Sequence, residues 1–330
     1  MNNSTPEIVY IVGSGRSGST LVDMVLGAHS AMFSLGEIIS LLDYIKEDKE
    51  CACRKKFHQC PFWKDVISEF SLQWGVDLIK DPEMLDLKII DRGNRSRFGY
   101  LIEIGSRIID FKPKHSSRRT NTDREIIERA HEFYDLVRKK SDTKILIDSS
   151  KSIRRSLRLS WNRPEDSFRL IFLVRDGRGV VHSRRKREII VDEPQEVEGE
   201  IRMEEIKRPA IHPSRSMLRY ITAWLQVNLS TYLGLLTIPR RNWMILKYED
   251  LCHNPEMTLQ RVCEFLNLDY EAGMIDFRLA AHHNIDGNPV RFRSGGIKIP
   301  DEKWRTGLNS TDRLLFGSVA GWLNYLFGYK

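Results

Sequence analysis

At 330 residues, with 41% hydrophobic and 29% charged residues, the chain has the make-up of a globular protein large enough for one big α/β domain or two modest ones. Its 52 Lys and Arg against 45 Asp and Glu leave a net charge of +7; this predicts an anionic partner, which a nucleotide alone would satisfy, so no nucleic-acid partner is inferred. The absence of an apolar run of about 18 residues, the non-basic start MNNSTPE and an odd count of five cysteines argue against a transmembrane segment, a secretory leader and a disulfide framework, and predict a cytoplasmic protein.

The first element is the apolar run IVYIVG, residues 8 to 13, which ends at glycine as a buried strand of a parallel sheet does. Leu21, Met24, Val25 and Ala28 then fall at helical spacing, so GSGRSGST, residues 13 to 20, is a loop from strand to helix. Glycines let its backbone turn so that N–H groups converge on anionic oxygens, and the helix adds its positive end. The loop has the glycine spacing of G-x-x-x-x-G-K-[ST], but Ser19 stands where a nucleotide triphosphatase carries the lysine that reaches the β- and γ-phosphates, which disfavours ATP or GTP hydrolysis. From about residue 40 to 140 the sequence is polar, helical and charge-mixed, an insertion on the core. It contains CACRKKFHQCPFW, where Cys51, Cys53, His58 and Cys60 are four soft ligands that zinc could take. The spacing is not that of a common finger, and reduced, partly buried thiols beside Pro61, Phe62 and Trp63 are the preferred reading, with no metal assigned. The basic stretch from Lys112 to Arg124 reads as a solvated loop.

Three further strands are expected in KILIDSS from Lys144, RLIFLV from Arg169 and WMILKY from Trp243, each set between helical stretches. Alternating strands and helices imply a parallel sheet with its ligand at the carboxyl ends of the strands. Residues 188 to 208, rich in glutamate, form an excursion that could cover such a site. Asn254 and Pro255 open a helix whose Leu259, Val262, Cys263 and Leu266 share an apolar face.

GSGRSGST followed by LVDMVLGAHSAMFSLGE is similar to the 5′-phosphosulfate-binding region of sulfotransferases that use 3′-phosphoadenosine-5′-phosphosulfate (PAPS), with closest resemblance to the tyrosylprotein and carbohydrate branches and to bacterial members. RLIFLVRDGRGVVHS, residues 169 to 183, resembles that family's 3′-phosphate-binding region. The resemblance implies an α/β, P-loop-like three-layer sandwich with a central parallel sheet and a largely helical insertion, a single domain over 1–330. It implies PAPS as co-substrate and adenosine 3′,5′-bisphosphate (PAP) as product. Gly13, Ser14, Gly15, Arg16, Ser17, Gly18, Ser19 and Thr20 would hold the phosphosulfate, with Arg16 facing the sulfuryl group. Arg175, at a strand end, and Ser183, eight residues later, would hold the 3′-phosphate, a fork-on-phosphate pairing that the chemistry of guanidinium favours.

Sulfuryl transfer to an alcohol needs a base for the hydroxyl proton and cations for the charge that develops on oxygen. The resemblance assigns Glu37 in FSLGE as base and Lys151, after KILIDSS, as the cation near the leaving oxygen, with Asp148 and Ser150 as supports. The plain alternative for Glu37 is a glutamate that complements the dipole of the following helix. His283 is the second candidate base. Residues 282 to 304 resemble only loosely the C-terminal segment that closes over the nucleotide, with Arg291, Arg293 and Lys298 as further phosphate contacts. The acceptor expected is a hydroxyl on a carbohydrate. A protein-tyrosine sulfotransferase, a P-loop small-molecule kinase and a non-catalytic polyanion-binding protein are the alternatives.

Overall fold

The computed structural model describes residues 5–85, 87, 121–160, 163–190, 213–292, 295–300 and 302–330. IVYIVG is buried at every position and forms β1 (Ile8–Gly13), the middle strand of a five-stranded sheet. The others are β2 (Met32–Gly36), β3 (Ile145–Lys151), β4 (Phe168–Val174) and β5 (Trp243–Lys247), in the order β2-β3-β1-β4-β5 and all parallel. Four of the five were expected. β2 was not read as a strand, because five residues interrupted by Ser34 and Gly36 give too short an apolar run.

Successive side chains of a strand point to opposite faces, and both faces of this sheet are covered. Ile8, Tyr10 and Val12 of β1, with Leu170, Phe172 and Val174 of β4, pack into one apolar cluster; Val9 and Ile11, with Ile171 and Leu173, pack into another. The second face carries α1 (Ser19–Leu26), a helix of eight residues, too short to stand alone in water. It is held by burying Val22, Met24, Val25 and Leu26, each contributing roughly 1.5–3 kcal/mol. The first face carries, among the described residues between β2 and β3, α2 (Leu41–Glu47), α3 (Pro61–Trp74) and α4 (Asn121–Ser141). It also carries α5 (Ile153–Ser160), α6 (Gly177–Ile190) and α7 (Pro213–Leu235). The result is the three-layer α/β arrangement.

α8 (Tyr248–His253) and α9 (Pro255–Phe265) follow β5, and Leu259, Val262, Cys263 and Leu266 are buried as their spacing predicts. Asn254 holds the N-cap position of α9, although its side chain makes no capping hydrogen bond. Residues 112–120 of the basic stretch and 191–208 of the glutamate-rich excursion lie outside the described residues. No described helix is long and apolar enough to cross a membrane.

One polar group lies deep in the first layer. Asp148, 1% exposed, accepts from the Tyr134 hydroxyl at 2.6 Å and from the Arg155 guanidinium, while Arg155 Nη2 also donates to the Tyr134 oxygen at 2.6 Å. Unpaired, either charge would cost roughly 3–5 kcal/mol. Ser150 continues the network: its hydroxyl donates to Asp148 Oδ1 at 2.6 Å and accepts from the Ile39 N–H at 3.2 Å. Asp148 is thus a core counter-ion that ties the end of β3 to the segment after β2.

Candidate active site

All five strands run the same way, so their carboxyl ends share one edge, and the residues that follow are, in spatial order, Glu37, Lys151, the glycine-rich loop, Arg175 and Tyr248. The chain's path reverses across β1, from β2 and β3 on one side to β4 and β5 on the other. Such a switch point leaves a crevice beyond the strand ends. Neighbouring parallel strands stand ~4.8 Å apart, so Lys151 and Arg175, on strands flanking β1, are separated by about 10 Å of sheet.

The loop itself is built for close approach. Gly18, at φ 92°, is the left-handed residue that opens α1, and a Cβ there would lie 2.3 Å from the Tyr248 ring, so only glycine fits. Arg16 is left-handed as well, at φ 73°, and Lys151 at φ 65°. Neither has the short polar side chain that eases this conformation, so each stores roughly 1 kcal/mol or more of strain that the surroundings must hold in place. Alternating left- and right-handed residues turn successive N–H groups into one concavity, a nest for an anion. The Ser17 hydroxyl is buried with no hydrogen-bond partner among the described residues. That orphaned polar atom and the glycine-only turn fit the anionic group of a donor.

On the β4 side, three guanidiniums converge. Arg175 Nη1 donates to the Arg16 carbonyl at 3.0 Å, and its plane lies over Tyr248 at 4.6 Å. Arg16 Nε donates to Ser183 Oγ at 3.2 Å, so the two residues expected to share a 3′-phosphate lie on either side of Arg16. Arg184 Nη2 donates to Ser14 Oγ at 3.2 Å; burial, with Arg16 as a further cause, lowers its pKa. Arg16, expected to face the sulfuryl group, thus makes a side-chain contact on the Ser183 side of the loop. Arg184 and Tyr248 were not anticipated. Arg184 adjoins Ser183 in the motif and Tyr248 ends the run WMILKY, so both signals were present but unassigned.

On the β2 side, Lys151 Nζ donates to Glu37 Oε1, with both side chains about one-fifth exposed. Glu37 heads the short turn Ile38–Ser40, and its side chain makes no capping hydrogen bond there. The C-terminal segment closes this end. Ile285 N donates to the Leu35 carbonyl at 3.0 Å and Glu37 N to the Ile285 carbonyl at 2.9 Å. Asn288 N donates to Thr20 Oγ1 at 3.0 Å. The contact is tight: at Gly36, φ 72°, a Cβ would sit 2.1 Å from the Ile285 oxygen.

The remaining candidates fall elsewhere. Arg291 donates to the carbonyls of Asp286 at 2.9 Å and Glu50 at 3.1 Å and to the Tyr44 hydroxyl at 2.7 Å, so it ties the C-terminal segment to α2 and Glu50. Lys298 is exposed, and Arg293 lies outside the described residues. His283 joins Cys51, Cys53 and Cys60, whereas His58 stands apart, its Nε2 2.9 Å from the Ile45 carbonyl. A cavity of about 560 Å³ opens beside that cluster, lined in part by Arg54, Arg278 and His282; no residue of the loop or Glu37 lines it.

Under the loop, Asp23 of α1 is fully buried. It accepts from the Ser34 hydroxyl and from Asn284 Nδ2 at 3.3 Å, and its Oδ1 has no partner among the described residues. Burial, aided by the Asp148 and Glu37 charges, pushes its pKa up to about 7. A carboxyl raised in the folded state binds more protons folded than unfolded between the two pKa values. Its contribution is therefore complete below about pH 4 and is lost as pH rises to about 7, at up to ~1.4 kcal/mol per pH unit. Asp23→Asn is expected to gain stability relative to the wild type across that window in urea melts. A constant difference from pH 4.5 to 7.5 would show that Asp23 is ionised throughout.

The edge of a parallel sheet, a glycine-only loop opening a helix, and cations on both sides of it define a P-loop-like α/β protein. Residues 117–272 match the model of the Sulfotransferase family, a stretch that takes in Lys151, Arg175 and Ser183 but leaves out the glycine-rich loop and Glu37. The chain's structure is similar to the sulfotransferase domain of an olefin synthase from Synechococcus, at 18% identity and a TM-score of 0.53 over 100% of this chain and 98% of that one. It is also similar to the sulfotransferase domain from the curacin biosynthetic pathway, at 17% identity and a TM-score of 0.51 over 98% of each chain. At these identities the likeness is one of fold. No curated protein matches the chain.

Proposed function

We propose that the protein transfers the sulfuryl group of PAPS to an acceptor hydroxyl on a carbohydrate. The observation that carries this reading is the division of the sheet edge: an acid–base pair, Glu37 with Lys151, on one side of the glycine-rich loop and an arginine–serine pair, Arg175 with Ser183, on the other. A donor with an anionic group at each end fits that layout; a nucleoside triphosphate, with no 3′-phosphate, leaves the second end unused.

In this reading the N–H groups of the loop grip the 5′-phosphosulfate, and Arg175, Ser183 and Arg16 hold the 3′-phosphate. Glu37 takes the proton from the acceptor hydroxyl as its oxygen bonds to sulfur. The bond from sulfur to the bridging oxygen breaks, and Lys151, released from its pairing with Glu37, meets the charge left on the departing phosphate of PAP. Preorganisation supplies most of the rate, since both groups are already fixed by β2, β3 and the Ile285 contact. The carbohydrate acceptor rests on the likeness of the stretch GNPVRF, residues 287 to 292, and of the cysteine-rich insertion to bacterial members grouped with the carbohydrate enzymes.

Calorimetric titration tests the donor assignment. Adenosine 3′,5′-bisphosphate is expected to bind at least about 100-fold more tightly than ATP·Mg²⁺, the equivalent of about 2.8 kcal/mol. Tight ATP binding with no response to the bisphosphate would falsify the assignment in favour of a P-loop kinase. Incubation with ³⁵S-labelled PAPS and a panel of glycans, peptides and lipids identifies the acceptor class.

A further inference from the structure

Cys51, Cys53, Cys60 and His283 each offer one ligand atom, and all four atoms lie within 4.8 Å of one another. Cys60 Sγ is 3.2 Å from His283 Nδ1. Cys51 and Cys60 are fully buried, and the chain between them is a tight knuckle: Glu50 bridges to Lys56, and Cys51 exchanges backbone hydrogen bonds with Lys55 and Arg54. Arg54 holds the left-handed turn at φ 68°. His283 arrives from more than two hundred residues away and is locked on arrival. Its ring stacks on Phe62 with centroids 5.3 Å apart, and its carbonyl accepts from Trp63 Nε1 at 2.6 Å and from the Cys51 thiol at 3.4 Å.

We infer that these four residues form a structural zinc site, Cys51, Cys53 and Cys60 as thiolates and His283 through Nδ1. Tetrahedral Zn–S bonds of ~2.3 Å and Zn–N bonds of ~2.0 Å set ligand atoms about 3.3–3.8 Å apart, so the observed cluster needs shifts of roughly an ångström or less to close on an ion. The donor set is three sulfurs and an imidazole with no carboxylate, which selects zinc over magnesium or calcium. A disulfide would consume two sulfurs and leave the third beside the imidazole with no role. On binding, three thiol protons leave, the neutral imidazole gives its Nδ1 lone pair, and the site carries one net negative charge. Four protein ligands close the coordination sphere, so the ion holds structure and takes no acceptor.

What it holds is the C-terminal segment. Two residues past His283, Ile285 makes both hydrogen bonds to Leu35 and Glu37, and Asn288 reaches Thr20. Zinc therefore pins the segment that braces the base and the phosphate loop to the knuckle before α3. The site does not depend on the identity of the donor nucleotide, and its test does not involve activity.

Protein purified without chelators is expected to contain about one zinc per chain by mass spectrometry, with an absorption-edge spectrum fitting three sulfurs and one nitrogen. Stripping the ion with a chelator should lower the melting temperature by about 10 °C, restored by Zn²⁺ and not by Mg²⁺. Cys53→Ala, at the half-exposed ligand, and His283→Ala should each lose the metal, and His58→Ala should keep it. If the variants do not fold, the spectrum and the stripping experiment on the wild type decide. Less than about a tenth of an equivalent of zinc before and after added Zn²⁺, a disulfide among these cysteines, or zinc lost from His58→Ala and kept by His283→Ala would each overturn the inference.

Discussion

Glu37→Gln is expected to lower kcat by about three orders of magnitude while leaving the affinity for adenosine 3′,5′-bisphosphate within about twofold, because a positioned general base contributes typically 10²–10⁴-fold. Glutamine keeps the size and the acceptor oxygen that faces Lys151 but cannot take a proton. The two side chains are already paired at the ends of adjacent strands, and Glu37 N is fixed by the Ile285 carbonyl, so the substitution should change the proton transfer and not the geometry. Single-turnover measurement with saturating donor separates the two effects. A kcat within threefold of the wild type, with normal folding, would remove Glu37 from the chemistry. A non-catalytic polyanion-binding protein would show no turnover in either form and unchanged binding.

The second large effect is on the other side of β1. Arg175→Ala should weaken bisphosphate binding by about 100-fold, the loss expected when a forked, charge-assisted contact to phosphate is removed. Arg175 also supports the loop through the Arg16 carbonyl, so a fall in affinity alone could reflect a distorted cradle. The control is adenosine 5′-phosphosulfate, which lacks the 3′-phosphate. Its affinity should change by less than about threefold in Arg175→Ala if the guanidinium binds the 3′ end. Equal losses for both ligands would assign Arg175 to loop support and leave the 3′-phosphate to Ser183 and Arg16, with Arg184, next to Ser183, as a further candidate.

Much of this edge was legible in the chain because each part is local. A strand, a glycine-rich loop and a helix follow one another within residues 8 to 26, and the same holds for the strand and helix that carry Arg175 and Ser183. Lys151 sits where its strand ends. What escaped depends on contacts between distant segments. His283 and His58 look alike as loop histidines, and only the packing of the C-terminal segment against α3 shows which one meets the cysteines. Arg16 was expected at the sulfuryl end, and its contact with a hydroxyl on α6, 167 residues away, has no local signal in the chain. β2 is too short to announce itself by pattern and exists because β3 and Ile285 supply its partners on either side. Asp23 gave no sign of burial beyond its place between Val22 and Met24 on a helix with little exposed surface.

The order of the strands carries a further meaning. Apart from Arg16 on the loop after the central strand, what is proposed to recognise the 3′ end of the nucleotide hangs on β4, and what is proposed to meet the acceptor hangs on β2, β3 and the segments packed beside them. The central strand is shared property; its two flanks are separate estates. A lineage can therefore remodel the acceptor flank, lengthening the helices after β2 or exchanging the segment around Ile285, and inherit an intact grip on the same high-energy donor.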